Sequence, residues 1–269
     1  MCCIIFKAKK FFTVFNRYMN ISSYRQLNNK EIKELGNAAQ IFSDCYLVSS
    51  LRALAKTAAG QDILKHNIKI SENFGEQNFK INFPYNNYKD IFITQDEIKS
   101  LKLTNKYHET ISPEKTSHPI LRAVEIAMNK LISDNPLTKP FICRLVNCNE
   151  KFEYNFASNF MEIFTGKKPY SLNEKTLYMS LKNNKNAAYN LFKRLGEEGN
   201  FNFIAGTGWP LKHYLAFNHC YLVDNVDLQK QSINILEPRT NKIFSFSFDE
   251  AIKSLKYFTG YFKNDLINH

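Results

Sequence analysis

A thiol, an imidazole and a carboxylate stand at Cys45, His219 and Glu237, each in a setting that suits nucleophilic catalysis. Leu47, Val48, Leu51, Leu54, Ala55 and Ala58 recur at helical spacing and predict a helix beginning near Ser43, with Ser43 as N-cap and Asp44 in the first turn. Cys45 then holds the second position of that helix. Unpaired backbone N–H groups and the positive end of the helix dipole favour thiolate there. A cysteine is also a small core hydrophobe, so position alone leaves both roles open.

His219 opens a run to Val226 that reads as a strand, and Ser232 to Leu236 reads as its partner. Leu228 lies midway between His219 and Glu237. An antiparallel hairpin about Asp227–Gln231 therefore sets the two face to face at its open end. A carboxylate that holds one imidazole nitrogen leaves the other for the thiol, which is how a catalytic base is oriented. A strand-capping histidine beside an exposed glutamate is the reading these residues leave open. Asp224 and Asn241 are other groups placed to orient the ring.

The elements that must position these groups follow from periodicity. Phe79, Ile81 and Phe83 alternate with polar residues, as do Ile91 and Ile93 after the turn at Pro84–Asn87. Pro119 suits the first position of a helix whose stripe is Ile120, Leu121, Val124, Met128 and Leu131. Residues 156–164 read as a short helix ended by Gly166, residues 174–197 as a longer one, Phe201–Ala205 as a strand, and Phe248–Phe258 as a closing helix. Helices first and strands last predict an α+β protein of two dissimilar lobes. The expected divisions are a leader over 1–36, a helix-rich lobe with the nucleophile over 37–200, and a β-rich lobe with histidine and acid over 201–269.

The chain has 269 residues, 44% of them hydrophobic, enough for one two-lobed domain. Its net charge of +11 comes from lysines dispersed along the chain, not from a cluster, so nucleic acid is not an expected partner. The six cysteines (Cys2, Cys3, Cys45, Cys143, Cys148 and Cys220) show no disulfide framework, which suits a reducing compartment. Cys143 and Cys148 would make half a metal site with no second pair, so neither metal nor cofactor is expected. No stretch is long enough to span a bilayer. Residues 1–20 alternate apolar and basic groups and suit a weak membrane contact, with Cys2 and Cys3 as candidate acylation sites.

Residues 40–54, Gln-Ile-Phe-Ser-Asp-Cys-Tyr-Leu-Val-Ser-Ser-Leu-Arg-Ala-Leu, resemble the nucleophile segment of the calpain family, where a Gln precedes a Gly-Asp-Cys-Trp/Tyr-Leu-Leu run. Asn218-His219-Cys220-Tyr221-Leu222-Val223 resembles that family's Gly-His-Ala-Tyr-Ser-Val strand, and Ile233–Pro238 the strand ending in Asn-Pro-Trp. Residues 118–132, Phe160–Gly166 and Phe248–Phe258 resemble further family segments, in family order over roughly 38–260.

The resemblance implies a papain-like cysteine protease fold with the active site in the cleft between the lobes. It also implies a Cys45–His219–Glu237 triad and Gln40 as oxyanion donor. Gln40 lies one residue nearer to the cysteine than its family counterpart. Glu237 stands for the family's Asn and Arg239 for its Trp, whose shielding role falls to Trp209 as a candidate. The family's calcium loops are not recognisable. The implied activity is a peptidase cleaving peptide or isopeptide bonds in a protein or peptide substrate, acting as a monomer. By family analogy, a compact core of this type suits a secreted effector working in another cell. An acyltransferase on the same fold and an inactive binding module are the alternatives.

Overall fold

A computed structural model describes residues 23–39, 45–73, 75–85, 90–100, 103–104, 110–111, 118–133, 157–173, 181–199, 201–207, 215–216 and 219–266. Gln40, Ser43, Asp44, Trp209, residues 1–20 and the cysteines at 2, 3, 143 and 148 lie outside them.

Strand β1 (Arg25–Gln26) and helix α1 (Asn29–Asn37) fall within the segment expected as a leader. Asn28 and Glu31 form a capping box: Glu31 N–H donates to Asn28 Oδ1 at 2.9 Å and Asn28 N–H to Glu31 Oε2 at 2.8 Å. Ile32 and Leu35 are buried against the next helix, α2 (Cys45–Ala55). Leu27, Ile32, Leu35 and Ala38 thus belong to the core.

Helix α2 is buried on every side, from Tyr46 through Leu54, as a helix that is apolar nearly all round must be. It turns sharply into α3 (Ala58–Asn67), where a Cβ on Gly60 would lie 2.2 Å from the Leu54 carbonyl oxygen, so only glycine fits. Strands β2 (Ile68–Asn73), β3 (Glu76–Ile81) and β4 (Ile91–Ile93) join β1 in an antiparallel sheet of order β1-β2-β3-β4. Helix α4 (Gln95–Ser100) and the short pair β5 (Leu103–Thr104) and β6 (Thr110–Ile111) follow.

Helix α5 (Pro119–Ser133) lies on β3 and β4. Its five expected stripe residues are all buried, and so are Ala123, Ile126 and Ala127, so the covered face is wider than the periodicity implied. Val124→Asp would put a carboxylate without a partner into that core. We expect a loss on the order of 4 kcal/mol, read as a lower melting midpoint or loss of soluble protein. An unchanged melting curve would place that face in solvent.

Helix α6 (Ala157–Thr165) ends where Gly166 adopts φ +73 and its N–H reaches the Glu162 carbonyl. Strand β7 (Tyr170–Leu172) and a 3-10 turn (Leu181–Asn184) lead to α7 (Lys185–Glu198), shorter than the helix expected over 174–197, whose first residues, 174–180, lie outside the described ones. Strands β8 (Phe201–Gly206), β9 (Cys220–Asp227), β10 (Ser232–Leu236), β11 (Ile243–Ser247) and β12 (Tyr257–Phe262), with β7, form a sheet of order β11-β10-β9-β8-β12-β7, antiparallel throughout.

Helix α8 (Phe248–Ser254) begins at a Ser247–Glu250 capping box and stops four residues before the expected Phe258. The rest of that run is β12, held between β8 and β7. Aromatic and β-branched residues favour the pleated form there. A Cβ on Gly260 would come within 2.0 Å of the Asn202 carbonyl oxygen, so a side chain there would run into the β8 backbone.

The six-stranded sheet separates two cores. Ile204, Cys220, Leu222 and Tyr261 face α1, α2, α3, α5, α6 and the first sheet. Phe203, Ala205, Tyr221, Val223, Phe258 and Phe262 face α7 and α8, as period-two alternation requires. Phe192 of α7 anchors the second core, with ring centroids 5.0 Å from Phe248 and 5.2 Å from Phe258. The chain is therefore α+β, but its cores do not divide at residue 200. Leu172, Leu181 and the apolar face of α7 belong with the later strands and α8, which cover that face.

Candidate active site

Helix α2 and strand β9 bring the site together. Ser49 Oγ donates to the Cys220 carbonyl at 3.2 Å, and Lys56 Nζ donates to the Asp224 carbonyl at 2.6 Å and the Val223 carbonyl at 3.2 Å. These bonds hold the helix beside the strand at two levels. Cys45, the first residue of α2, then comes against His219, the residue before β9.

His219 is held at both backbone ends by Thr207, just past β8. Its N–H donates to Thr207 Oγ1 at 3.1 Å, and the Thr207 N–H donates to the His219 carbonyl at 2.9 Å. Its Nε2–H donates to Glu237 Oε1 at 2.8 Å, with side-chain exposures of 3% and 12%. That leaves Nδ1 as the ring nitrogen free for the thiol, and His219 hydrogen-bonds Cys45. The structure thus brings Cys45, His219 and Glu237 together.

The route to that contact differs from the expected hairpin. Ile233 pairs with Val226, but a bulge between Asn234 and Ile235 shifts the register, so Leu236 pairs with Leu222. Extending it by one residue sets Tyr221, not His219, across from Glu237. His219 lies two residues further along and meets the carboxylate on the diagonal, within reach of long side chains. The turn after β10 fixes the other partner: Asn241, at φ +56, donates its N–H to the Glu237 carbonyl, and the Glu237 N–H donates to the Lys242 carbonyl. Arg239 N–H adds a 3.0 Å bond to Glu237 Oε1. Of the other orienting candidates, Asp224 pairs with Lys56 at 3.1 Å, and Asn241 serves through its backbone.

These contacts set the charges. Burial pulls the His219 pKa down, but the hydrogen bonds and charges of Cys45 and Glu237 outweigh it, and the value is pushed up to about 9. Cys45 is held well below an ordinary thiol, first by a hydrogen bond with the Cys220 thiol. The bond and charge of His219 and a bond from the Cys220 backbone N–H add to this, against burial. Burial raises the Glu237 carboxyl, yet the bond and charge of His219 and the Arg239 N–H leave it below its ordinary value. Thiolate, imidazolium and carboxylate are the favoured states.

Four further residues complete the surroundings, none of them singled out by the sequence reading. The Tyr221 ring stands nearly perpendicular to the imidazole at 4.9 Å between centroids and covers it, and Tyr221 Oη accepts the Ala216 N–H at 2.8 Å. Its place two residues after His219 on one strand was the signal that it shares a face with the histidine. Thr207 and Cys220 act as described. Arg52, 3% exposed on α2, donates from Nη1 to the carbonyls of Ala38 and Pro238, each at 3.3 Å. It ties the helix both to the residue after Glu237 and to the chain just before Gln40.

Among the described residues, no group of His, Cys, Asp and Glu side chains is placed to hold a metal ion, and no helix is long and apolar enough to cross a membrane. No protein-family model matches the chain, and no curated protein matches it.

Proposed function

We propose that this chain is a cysteine hydrolase of papain-like fold and calpain-like type, cleaving peptide or isopeptide bonds in a protein substrate. The observation that carries the reading is the buried His219 ring, hydrogen-bonded to Cys45 on one side and to a carboxylate on the other. His219 takes the Cys45 proton, and the thiolate attacks the acyl carbon. The Cys45 backbone N–H at the start of α2, with Gln40 by resemblance, stabilises the oxyanion. The imidazolium protonates the leaving amine, then His219 activates water to hydrolyse the thioester. Glu237 keeps the ring oriented throughout and offsets its positive charge. Acyl transfer to an amine would use the same thioester, and product analysis separates the two outcomes.

Cys45 should be the fastest-alkylated of the six cysteines near neutral pH. Peptide mapping after sub-stoichiometric iodoacetamide measures this, and intact mass after a panel of peptide electrophiles reports the acyl specificity. Preferential alkylation of Cys143, Cys148 or Cys220 would remove Cys45 as nucleophile.

A further inference from the structure

A second thiol lies against the proposed nucleophile. Cys220 opens β9 directly after His219, and alternation turns its side chain to the α2 face of the sheet while Tyr221 faces the other. Its side chain packs in the same core as Cys45, and it stands first among the neighbours that hold the Cys45 pKa down. On its far side, Sγ lies 3.0 Å from Tyr257 Oη. Ser49, one helical turn beyond Cys45, donates to the Cys220 carbonyl at 3.2 Å, so helix and strand are bonded to each other at this level. Neither cysteine is in a disulfide, and Cys220 is buried and Cys45 half-buried. No bond of the hydrolytic cycle forms or breaks at the Cys220 sulfur, whose part there is to lower the Cys45 value.

We propose that Cys45 and Cys220 form a reversible disulfide when the protein meets a peroxide, masking the Cys45 sulfur. That the bond regulates hydrolysis rests on the reading above; the bond itself does not. The chemistry is that of thiolates with peroxides. Cys45 thiolate attacks one oxygen of hydrogen peroxide and the O–O bond breaks. The departing hydroxide takes the His219 imidazolium proton and leaves as water, and Cys45 carries a sulfenic acid. The Cys220 sulfur then attacks the Cys45 sulfur, the S–O bond breaks, and the leaving hydroxide takes the Cys220 proton as a second water. Two thiols lose two electrons and one peroxide gains them. The Ser49 bond holds the start of α2 against the start of β9, so the two thiols that share this corner need little movement to meet the geometry a disulfide requires. Closure also stops Cys45 at the reversible rung of oxidation, before sulfinic acid.

The test treats the reduced full chain with stoichiometric hydrogen peroxide, then blocks remaining thiols with iodoacetamide. The expected product is lighter than the parent by two hydrogens before blocking. Its non-reduced tryptic map joins the peptide holding Cys45 to the peptide holding Cys220, and dithiothreitol restores both thiols. Cys220→Ser treated alike should hold Cys45 as a sulfenic acid, and further equivalents of peroxide should carry it to sulfinic or sulfonic acid that dithiothreitol does not reverse. Should that variant fold poorly, the parent map decides alone. Cys45 recovered as sulfinic acid beside a free Cys220, joined to another cysteine, or left as a thiol would overturn the proposal. Labelling of the reduced protein by a peptide electrophile tests the hydrolase reading separately. A Cys45–Cys220 link without such labelling keeps the disulfide and removes the hydrolase; labelling without the link does the reverse.

Discussion

At about pH 6.5, His219→Ala should lower the rate of Cys45 alkylation roughly a hundredfold. The parent thiol is held well below its ordinary value, which favours thiolate at that pH. Without the imidazolium the thiol loses the bond and charge of His219 while burial still raises it, so the thiolate share at pH 6.5 falls steeply. The effect on peptide hydrolysis should be larger, roughly a thousandfold or more, because the variant also loses the acid that protonates the leaving amine.

The pH dependence has a definite sign. The His219 value is raised in the folded chain, so the stability contributed by its charged form is fully present below the ordinary 6.5 and is lost as pH rises through about 9. Cys45 is depressed, so its contribution is present above the ordinary thiol value and is lost as pH falls through the folded one. The ion pair therefore spans the interval from the lowered Cys45 value to about 9. The parent should alkylate at a rate nearly independent of pH across the neutral range, and His219→Ala at a rate that climbs about tenfold per unit. A variant that keeps the parent's flat profile would show that His219 does not ionise Cys45.

Glu237→Ala should lower turnover about a hundredfold while changing the Michaelis constant little, since the carboxylate touches the base and not the substrate. Two bonds are lost together: the 2.8 Å bond from His219 Nε2 and the 3.0 Å bond from the Arg239 N–H. Glu237→Gln is the discriminating partner variant. It keeps an acceptor of the same length and removes the charge, so it should retain more activity than the alanine variant, and the upper limit of the pH profile should move down from about 9. Glu237→Asn restores the residue of the resembled family but is one methylene shorter. It should fall below the glutamine variant, because the diagonal approach across the bulge needs the longer side chain. Turnover within about twofold of the parent for all three would take Glu237 out of the site and leave a Cys45–His219 dyad.

Local pattern alone determined a good deal here. The apolar spacing from Leu47 to Leu54 marks α2, alternation marks β3, β4 and β8 to β10, and Pro119 with its stripe marks α5. Those signals are local because a helix or a half-buried strand writes its period into adjacent residues. They also put a cysteine at a helix start and a histidine at a strand start, which is why Cys45, His219 and Glu237 were legible as a set. The capping box at Asn28–Glu31 is equally local, an Asn followed three residues later by a Glu. Only the tertiary structure decided the rest. Aromatic residues after Ser254 fit a helix or a strand until β8 and β7 offer β12 their hydrogen bonds. The bulge at Asn234–Ile235 moves Glu237 from opposite Leu222 to opposite Tyr221, on the diagonal to His219, a one-residue event that no periodicity records. Arg52 sits in an apolar helix, and only folding reveals the Ala38 and Pro238 carbonyls that accept from it. The contact of Cys220 with Cys45 joins residues far apart in the chain. It depends on the register of a helix against a strand, which long-range packing sets and local sequence does not.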